Sequence, residues 1–215
     1  MKGSKLTFDA ILDQTRQYYD KKLGAHGPSP KGVDWNSAVS QELRFEQLLK
    51  GCNTNNPFTL NDYGCGYGAL AEYMTRQGYR FEYRGFDLSQ KMIESAREKY
   101  GALSHCEFFS DQERLDIADF TITSGIFNVK LQTSDEEWKA YMLHTLGKIA
   151  GLSKKGFAFN VLSKYSDPQF MRDDLFYADP LFLFDYCKRN FSRFVAVLHD
   201  YPLYEFTVLV KKEAE

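Results

Sequence analysis

Three observations predict an α/β fold: a three-layer sandwich on a seven-stranded, mostly parallel sheet with an antiparallel last strand, plus an N-terminal helical cap. From residue 57 onward, short aromatic and β-branched runs alternate with helical patterns, which implies a parallel sheet covered on both faces. The link around Pro202 between the last two runs is too short for a crossover helix, so the final strand must reverse. Before residue 57 the pattern is helical and loop-like, dividing the chain into a cap (1–56) and a sheet domain (57–215). A chain of 215 residues suits this plan, since it buries a core without disulfide or metal staples.

The elements follow in order. Phe8, Ile11, Leu12, Thr15, Tyr18 and Tyr19 recur at three- and four-residue steps, predicting an amphipathic helix that ends at Gly24. A Gly/Pro-rich loop runs to Gly32, and a second helix spans Ser37 to Lys50, stopped by Gly51. Phe58 to Tyr63 reads as a strand, Ala69 to Gln77 as a helix, and Phe81 to Asp87 as the second strand. Ser89 caps a helix carrying Met92, Ile93, Ala96 and Tyr100, with Gly101 as its stop. Strands are expected at His105 to Ser110 and Asp119 to Ser124. Ser134 to Glu137 is a capping box opening a helix striped by Trp138, Tyr141, Met142, Leu146 and Ile149. Gly156 to Leu162 is the fifth strand, 163–179 a polar-aromatic loop, and Leu181 to Asn190 a helix. Phe194 to His199 and Tyr204 to Val210 complete the sheet.

Composition narrows the function. Twenty-seven Lys+Arg balance 29 Asp+Glu for a net charge of −2, without the basic excess that nucleic acid or an anionic membrane attracts. Cys52, Cys65, Cys106 and Cys187 form no C-x-x-C pair and have no histidine at zinc spacing, so neither a disulfide framework nor a metal site is expected. Met1 to Asp13 lacks an apolar leader core and no apolar run reaches 18 residues, which points to a cytoplasmic protein. The chain is rich in rings: 14 Tyr, 18 Phe and 2 Trp. Tyr18, Tyr19, Trp35, Tyr67, Phe127, Tyr165, Phe176 and Tyr177 fall where a closed, water-poor pocket would form.

The chemistry concentrates in Asp62-Tyr63-Gly64-Cys65-Gly66-Tyr67-Gly68, at the end of the first strand. Glycine lets backbone approach a nucleotide closely, and open α/β sheets bind ligands at strand carboxyl ends. Gly64-x-Gly66-x-x-Ala69 also fits the dinucleotide fingerprint, with Asp87 about twenty residues on for the ribose. Glycine spacing therefore leaves an NAD-dependent oxidoreductase open.

With its acidic residue two before the first glycine, its third glycine two after the second, and a reversed last strand, residues 57 to 211 resemble the class I S-adenosylmethionine-dependent methyltransferases. Their first motif reads Asp/Glu-x-Gly-x-Gly-x-Gly. The resemblance implies an enzyme with S-adenosyl-L-methionine as cofactor and S-adenosyl-L-homocysteine as product. It places Asp62, Gly64, Cys65 and Gly66 along the methionine end and Asp87 on the ribose hydroxyls, where a carboxylate supplies acceptors only. Leu88 then packs on adenine, Ser110 and Asp111 follow the third strand near the adenine amine, Ser124 and Gly125 line the reacting methyl, and Arg44 reaches the cofactor carboxylate. A non-catalytic adenosyl-binding relative would keep the same residues.

The Asn/Asp-Pro-Pro-Tyr/Phe motif of amine-methylating DNA enzymes is replaced here by Ser124-Gly-Ile-Phe-Asn128. That leaves a small-molecule acceptor, methylated on O or N by in-line displacement under the N-terminal lid, in a monomer or homodimer. His26, in the Gly/Pro-rich loop, and Tyr19, on the lid helix, are the candidate catalytic residues. Pro30 to Asn36 with Gln41 to Gln47 is similar to the N-terminal part of bacterial methyltransferases that accompany surface-polysaccharide genes. This implies a sugar or a small phosphorylated or amino metabolite as acceptor.

Overall fold

The computed structural model describes residues 7–212; residues 1–6, part of the stretch read for a leader, and 213–215 lie outside it. Seven strands form one sheet: β1 (Phe58–Tyr63), β2 (Phe81–Phe86), β3 (Cys106–Phe109), β4 (Ala118–Thr123), β5 (Ser153–Leu162), β6 (Phe194–Leu198) and β7 (Glu205–Lys211). The helices are α1 (Phe8–His26), α2 (Ala38–Leu49), α3 (Ala69–Arg76), α4 (Gln90–Tyr100), α5 (Asp135–Gly151) and α6 (Pro180–Asn190).

Strand order is β3-β2-β1-β4-β5-β7-β6. Every pairing is parallel except those of β7, which runs antiparallel to both β5 and β6. The order turns back beside β1, and this switch point opens a crevice at the strand carboxyl ends. Pleating sends alternate side chains to opposite layers. Phe157, Phe159 and Val161 join a core with Ile11 of α1, Trp138 and Leu146 of α5, and Leu183 of α6. Ala158, Leu60 and Ile122 join a second core with Phe45 and Leu48 of α2, Met74 of α3 and Ile93 of α4.

Local chemistry sets most boundaries. Ser37 Oγ accepts from Ser40 N at 3.1 Å in a reciprocal capping box, and Ser134 Oγ accepts from Glu137 N at 3.3 Å. Two boundaries differ from expectation by more than one residue. α1 runs through Gly24 to His26 because Gly24 keeps helical geometry; Gly27, at φ 64°, closes the helix with its N–H on Leu23 O at 2.7 Å. β5 starts three residues early, at Ser153, because β4 pairs with that extension across an irregularity between Ala118 and Phe120. Loop 163–179 is stitched to the strand ends by bridges Val129–Leu175 and Ser163–Ala178. Among the described residues no helix is long and apolar enough to cross a membrane.

Candidate functional site

The crevice at the switch point is a cavity with about 950 Å³ of empty space, its mouth included. Its floor comes from the strand ends and their loops: Asp62, Tyr63, Gly64, Cys65, Gly66, Phe86, Asp87, Leu88, Ser124, Gly125 and Ile126. Its roof comes from the N-terminal segment: Leu12, Thr15, Arg16 and Tyr19 of α1, Val33 and Trp35 of the connection, and Gln41 and Phe45 of α2.

After Tyr63 the chain bends over the end of β2, where Phe86 O accepts from Gly64 N at 2.7 Å and Cys65 N at 2.9 Å. Gly64 has φ 88° and a Cβ there would lie 2.3 Å from Ile126 Cγ2, so only glycine fits. Gly66 N then donates to Asp87 Oδ2 at 2.9 Å, while Ser89 N donates to Asp87 Oδ1 at 2.8 Å. One backbone N–H on each oxygen fixes the carboxylate and leaves each oxygen a further acceptor direction. Burial still pushes the Asp87 carboxyl up to about 6 against those two bonds. Asp62 is more deeply buried, which pushes it up to about 7; Asp87 adds to the rise and the Tyr83 hydroxyl, donating to Oδ2 at 2.6 Å, opposes it.

The roof is tied down by polar contacts. Ser89 Oγ, while capping α4, donates to Asp20 of α1. Tyr18 and Lys22 both bond Asp34, the lysine at 2.6 Å. Tyr67 OH donates to Gln41 Oε1 at 3.0 Å, which holds that amide at the cavity wall. Ser124 Oγ is buried without a hydrogen-bond partner among the described residues.

Asp62, Gly64, Cys65, Gly66, Asp87, Leu88, Ser124, Gly125 and Tyr19 thus converge on one cavity. Four other sequence-predicted residues do not. Arg44 is not in the lining: its guanidinium is ion-paired with Glu205 of β7 and stacks 3.8 Å from the Trp35 ring centroid. Ser110 and Asp111 are exposed outside the cavity, and Asp111 Oδ1 is engaged by Glu113 N at 3.0 Å as the cap of a short 3₁₀ turn. His26 is the exposed last residue of α1 and is not in the lining, the helix running two residues past its predicted end. Tyr19 lines the cavity, and burial, reinforced by the charge of Asp34, raises its pKa and keeps its hydroxyl protonated.

Of the eight aromatic residues expected to enclose a pocket, Tyr19, Trp35 and Tyr67 do so. Phe127 and Phe176 are instead buried in the core, and Tyr165 is 60% exposed beside His199. Sequence reasoning did not assign Arg16, Gln41, Phe45, Tyr63, Phe86 and Tyr141 to the site. The strand-end position of Tyr63 and Phe86 was the available signal. For Tyr141 there was none, since its stripe reads as core. Among the described residues no group of His, Cys, Asp and Glu is placed to hold a metal ion.

A methyltransferase-domain family model matches residues 61–146. Over 160 residues, 74% of this chain and 96% of the relative, the sequence is 47% identical to the candidate methyltransferase Rv1506c of Mycobacterium tuberculosis. The fold is similar to that of N-methyltransferase NodS from Bradyrhizobium japonicum WM9, solved with S-adenosyl-L-homocysteine, at TM-score 0.64 and 12% identity. That match covers 93% of this chain and 99% of that one. It is also similar to magnesium protoporphyrin IX methyltransferase from Synechocystis PCC 6803, solved with the same ligand, at TM-score 0.54 and 15% identity over 99% and 90% of the two chains.

Proposed function

The chain belongs to the class I S-adenosylmethionine-dependent methyltransferases, and from that premise we propose that its cavity binds the adenosyl cofactor and methylates a small acceptor on O or N. The observation that carries this reading is Asp87, pinned by one backbone N–H on each oxygen at the tip of β2. A carboxylate so fixed matches two adjacent hydroxyl donors. The rest of the cavity fits the same ligand: a buried Ser124 hydroxyl without a partner among the described residues, two glycines allowing close backbone approach, and several aromatic rings in the lining. Ring faces attract a cation by about 0.5–2 kcal/mol each.

When bound, the cofactor supplies an electrophilic methyl on a sulfonium. The chain's residues do the positioning. Tyr63, Phe86, Leu88 and Ile126 form an apolar slot for a flat base, and Gln41 offers its amide N–H groups to a carboxylate from the roof. Asp62 and Asp87 place negative charge beside a cationic ligand once ionised. Closure by residues 1–56, acting as a cap, excludes water; orientation of this kind is worth about 7–11 kcal/mol where reacting atoms are well aligned. No histidine lines the cavity and the Tyr19 hydroxyl stays protonated. Asp62 and Asp87 are the lining carboxylates that remain, and both are committed to the cofactor, so the site suits an acceptor that needs positioning more than deprotonation.

A small acceptor, such as a sugar or a phosphorylated or amino metabolite, is favoured by the roofed cavity and by a net charge of −2, which offers nothing to a polyanion. Thermal melting with S-adenosylhomocysteine, S-adenosylmethionine and NAD tests the reading. A ligand at 100 times its Kd stabilises by about 2.7 kcal/mol. The adenosyl ligands are expected to raise Tm, and a rise with NAD alone overturns the proposal.

A further inference from the structure

Glu205, the first residue of β7, is fully buried and carries a charge that no step above uses. Burial raises its pKa, and the Arg44 guanidinium together with the Asn160 and Asn128 side chains works against that rise. Its two oxygens serve different halves of the cavity. Oε2 accepts from Asn160 Nδ2 at 2.8 Å, and Asn160 Oδ1 in turn accepts from Gly125 N at 2.8 Å. Oε1 is ion-paired with Arg44 Nε on α2. Arg44 Nη1 also donates to Ser40 O at 2.6 Å, and the guanidinium plane lies over Trp35. Trp35 and Gly125 are themselves in contact: a Cβ on Gly125, at φ 78°, would sit 2.4 Å from Trp35 Cζ2. The indole is thus in contact with both a guanidinium and glycine backbone.

We propose that Glu205 is a positioning residue: through Asn160 it holds Gly125 in the floor, and through Arg44 it holds Trp35 in the roof, so that one buried carboxylate sets the gap between them. The ligand side of this inference rests on the cavity being the adenosyl-ligand site; the placement of Trp35 does not. The arrangement explains why Arg44 is drawn away from the cavity. A lone Glu205 buried in the sheet would be far costlier than an ion pair, because one partner of a buried pair cannot be removed without stranding the other charge. It also explains why a cation that is planar stands at position 44, since Lys can pair with Glu205 but cannot stack on the indole.

The test uses Arg44→Lys in the full chain, which keeps the charge pair and removes the stack, with Glu205→Gln alongside. The readouts are acrylamide quenching of tryptophan fluorescence and S-adenosylhomocysteine affinity by calorimetry. Trp138 is sealed in the core, 1% exposed, with its indole N–H on Phe127 O at 2.8 Å, so a change in quenching reports Trp35. The expected result for Arg44→Lys is at least a twofold rise in the quenching constant and roughly tenfold weaker ligand binding, with a cooperative melt retained. Quenching and affinity equal to wild type, whatever happens to Tm, overturn the proposal. Should either variant fail to fold, Gly125→Ala crowds Trp35 directly, at a residue outside the ion pair. It must then raise quenching likewise, and unchanged quenching overturns the proposal. If wild type itself binds no S-adenosylhomocysteine, the cofactor reading fails and the quenching arm alone decides this one.

Discussion

Replacing Asp87 by Asn changes one atom in the site and separates binding from folding. The native carboxylate takes Gly66 N on one oxygen and Ser89 N on the other, and each oxygen keeps an acceptor direction for a ligand hydroxyl. An asparagine has one oxygen. Its amide N–H₂ must face one of the two backbone donors, stranding a partly buried N–H at a cost of about 1–3 kcal/mol. Against this, Asp87 is held near 6 from an ordinary 3.8, about two units, so at pH 8 the neutral side chain relieves about 3 kcal/mol of charge burial. The two effects nearly cancel, and the ligand-free Tm of Asp87→Asn should stay within a few degrees of wild type at pH 8. Ligand binding has no such offset. One charge-assisted bond worth about 1.5–3 kcal/mol is lost, which is about 10- to 150-fold in Kd for S-adenosylhomocysteine by calorimetry. An affinity within threefold of wild type would refute the ribose assignment, and a collapsed Tm would refute the cancellation.

Further predictions concern the other polar groups of the cavity. Gln41→Leu should weaken S-adenosylhomocysteine about tenfold, the loss of roughly one hydrogen bond to a charged group, yet leave 5′-methylthioadenosine, which lacks the carboxylate, unchanged; equal losses for both would show that Gln41 only supports the fold. Asp62 binds its proton more tightly in the folded chain, about 7 against 3.8. Between those values the folded state holds more protons than the unfolded one, so this group's contribution to stability falls as pH rises and is lowest above about 7. Ligand-free Asp62→Asn should therefore melt higher than wild type at pH 8, with the gap closing by pH 5; a gap that widens on acidification contradicts the sign. Affinity for the cationic S-adenosylmethionine, relative to neutral-sulfur S-adenosylhomocysteine, should rise from pH 5 to pH 8 as Asp62 and Asp87 ionise, and a flat ratio would remove both carboxylates from contact with the sulfonium.

What the sequence made legible is whatever short-range chemistry decides. Ser37, Ser89 and Ser134 declare their helices because a hydroxyl beside an opening turn has a donor to satisfy. β1 is delimited to the residue, Phe58–Tyr63, by the glycine motif that follows it. Asp62, Gly64, Gly66 and Asp87 were recognisable because their spacing builds the turn that brings Gly66 N onto the Asp87 carboxylate. Arg44 was misread because its partner, Glu205, comes from the other end of the chain, and nothing local distinguishes a roof arginine aimed at a ligand from one aimed at a strand. The same limit hid Tyr83, whose hydroxyl reaches Asp62 across neighbouring strands. Asp111 shows the opposite failure. Its own backbone two residues on competes for the carboxylate, and that contact prevails.

The antiparallel placement of β7 has a consequence for the order in which the protein becomes competent. The roof is translated first, but the carboxylate that anchors Arg44 belongs to the last strand and sits between β5 and β6. At roughly 5–20 residues per second, the ribosome separates the two by on the order of ten seconds. Throughout that interval Arg44 lacks the buried carboxylate that pairs with it in the folded chain, so its guanidinium is not yet fixed over Trp35. Within this chain the roof thus precedes its anchor in synthesis, and Arg44 gains its buried partner only once the β6–β7 hairpin is in place.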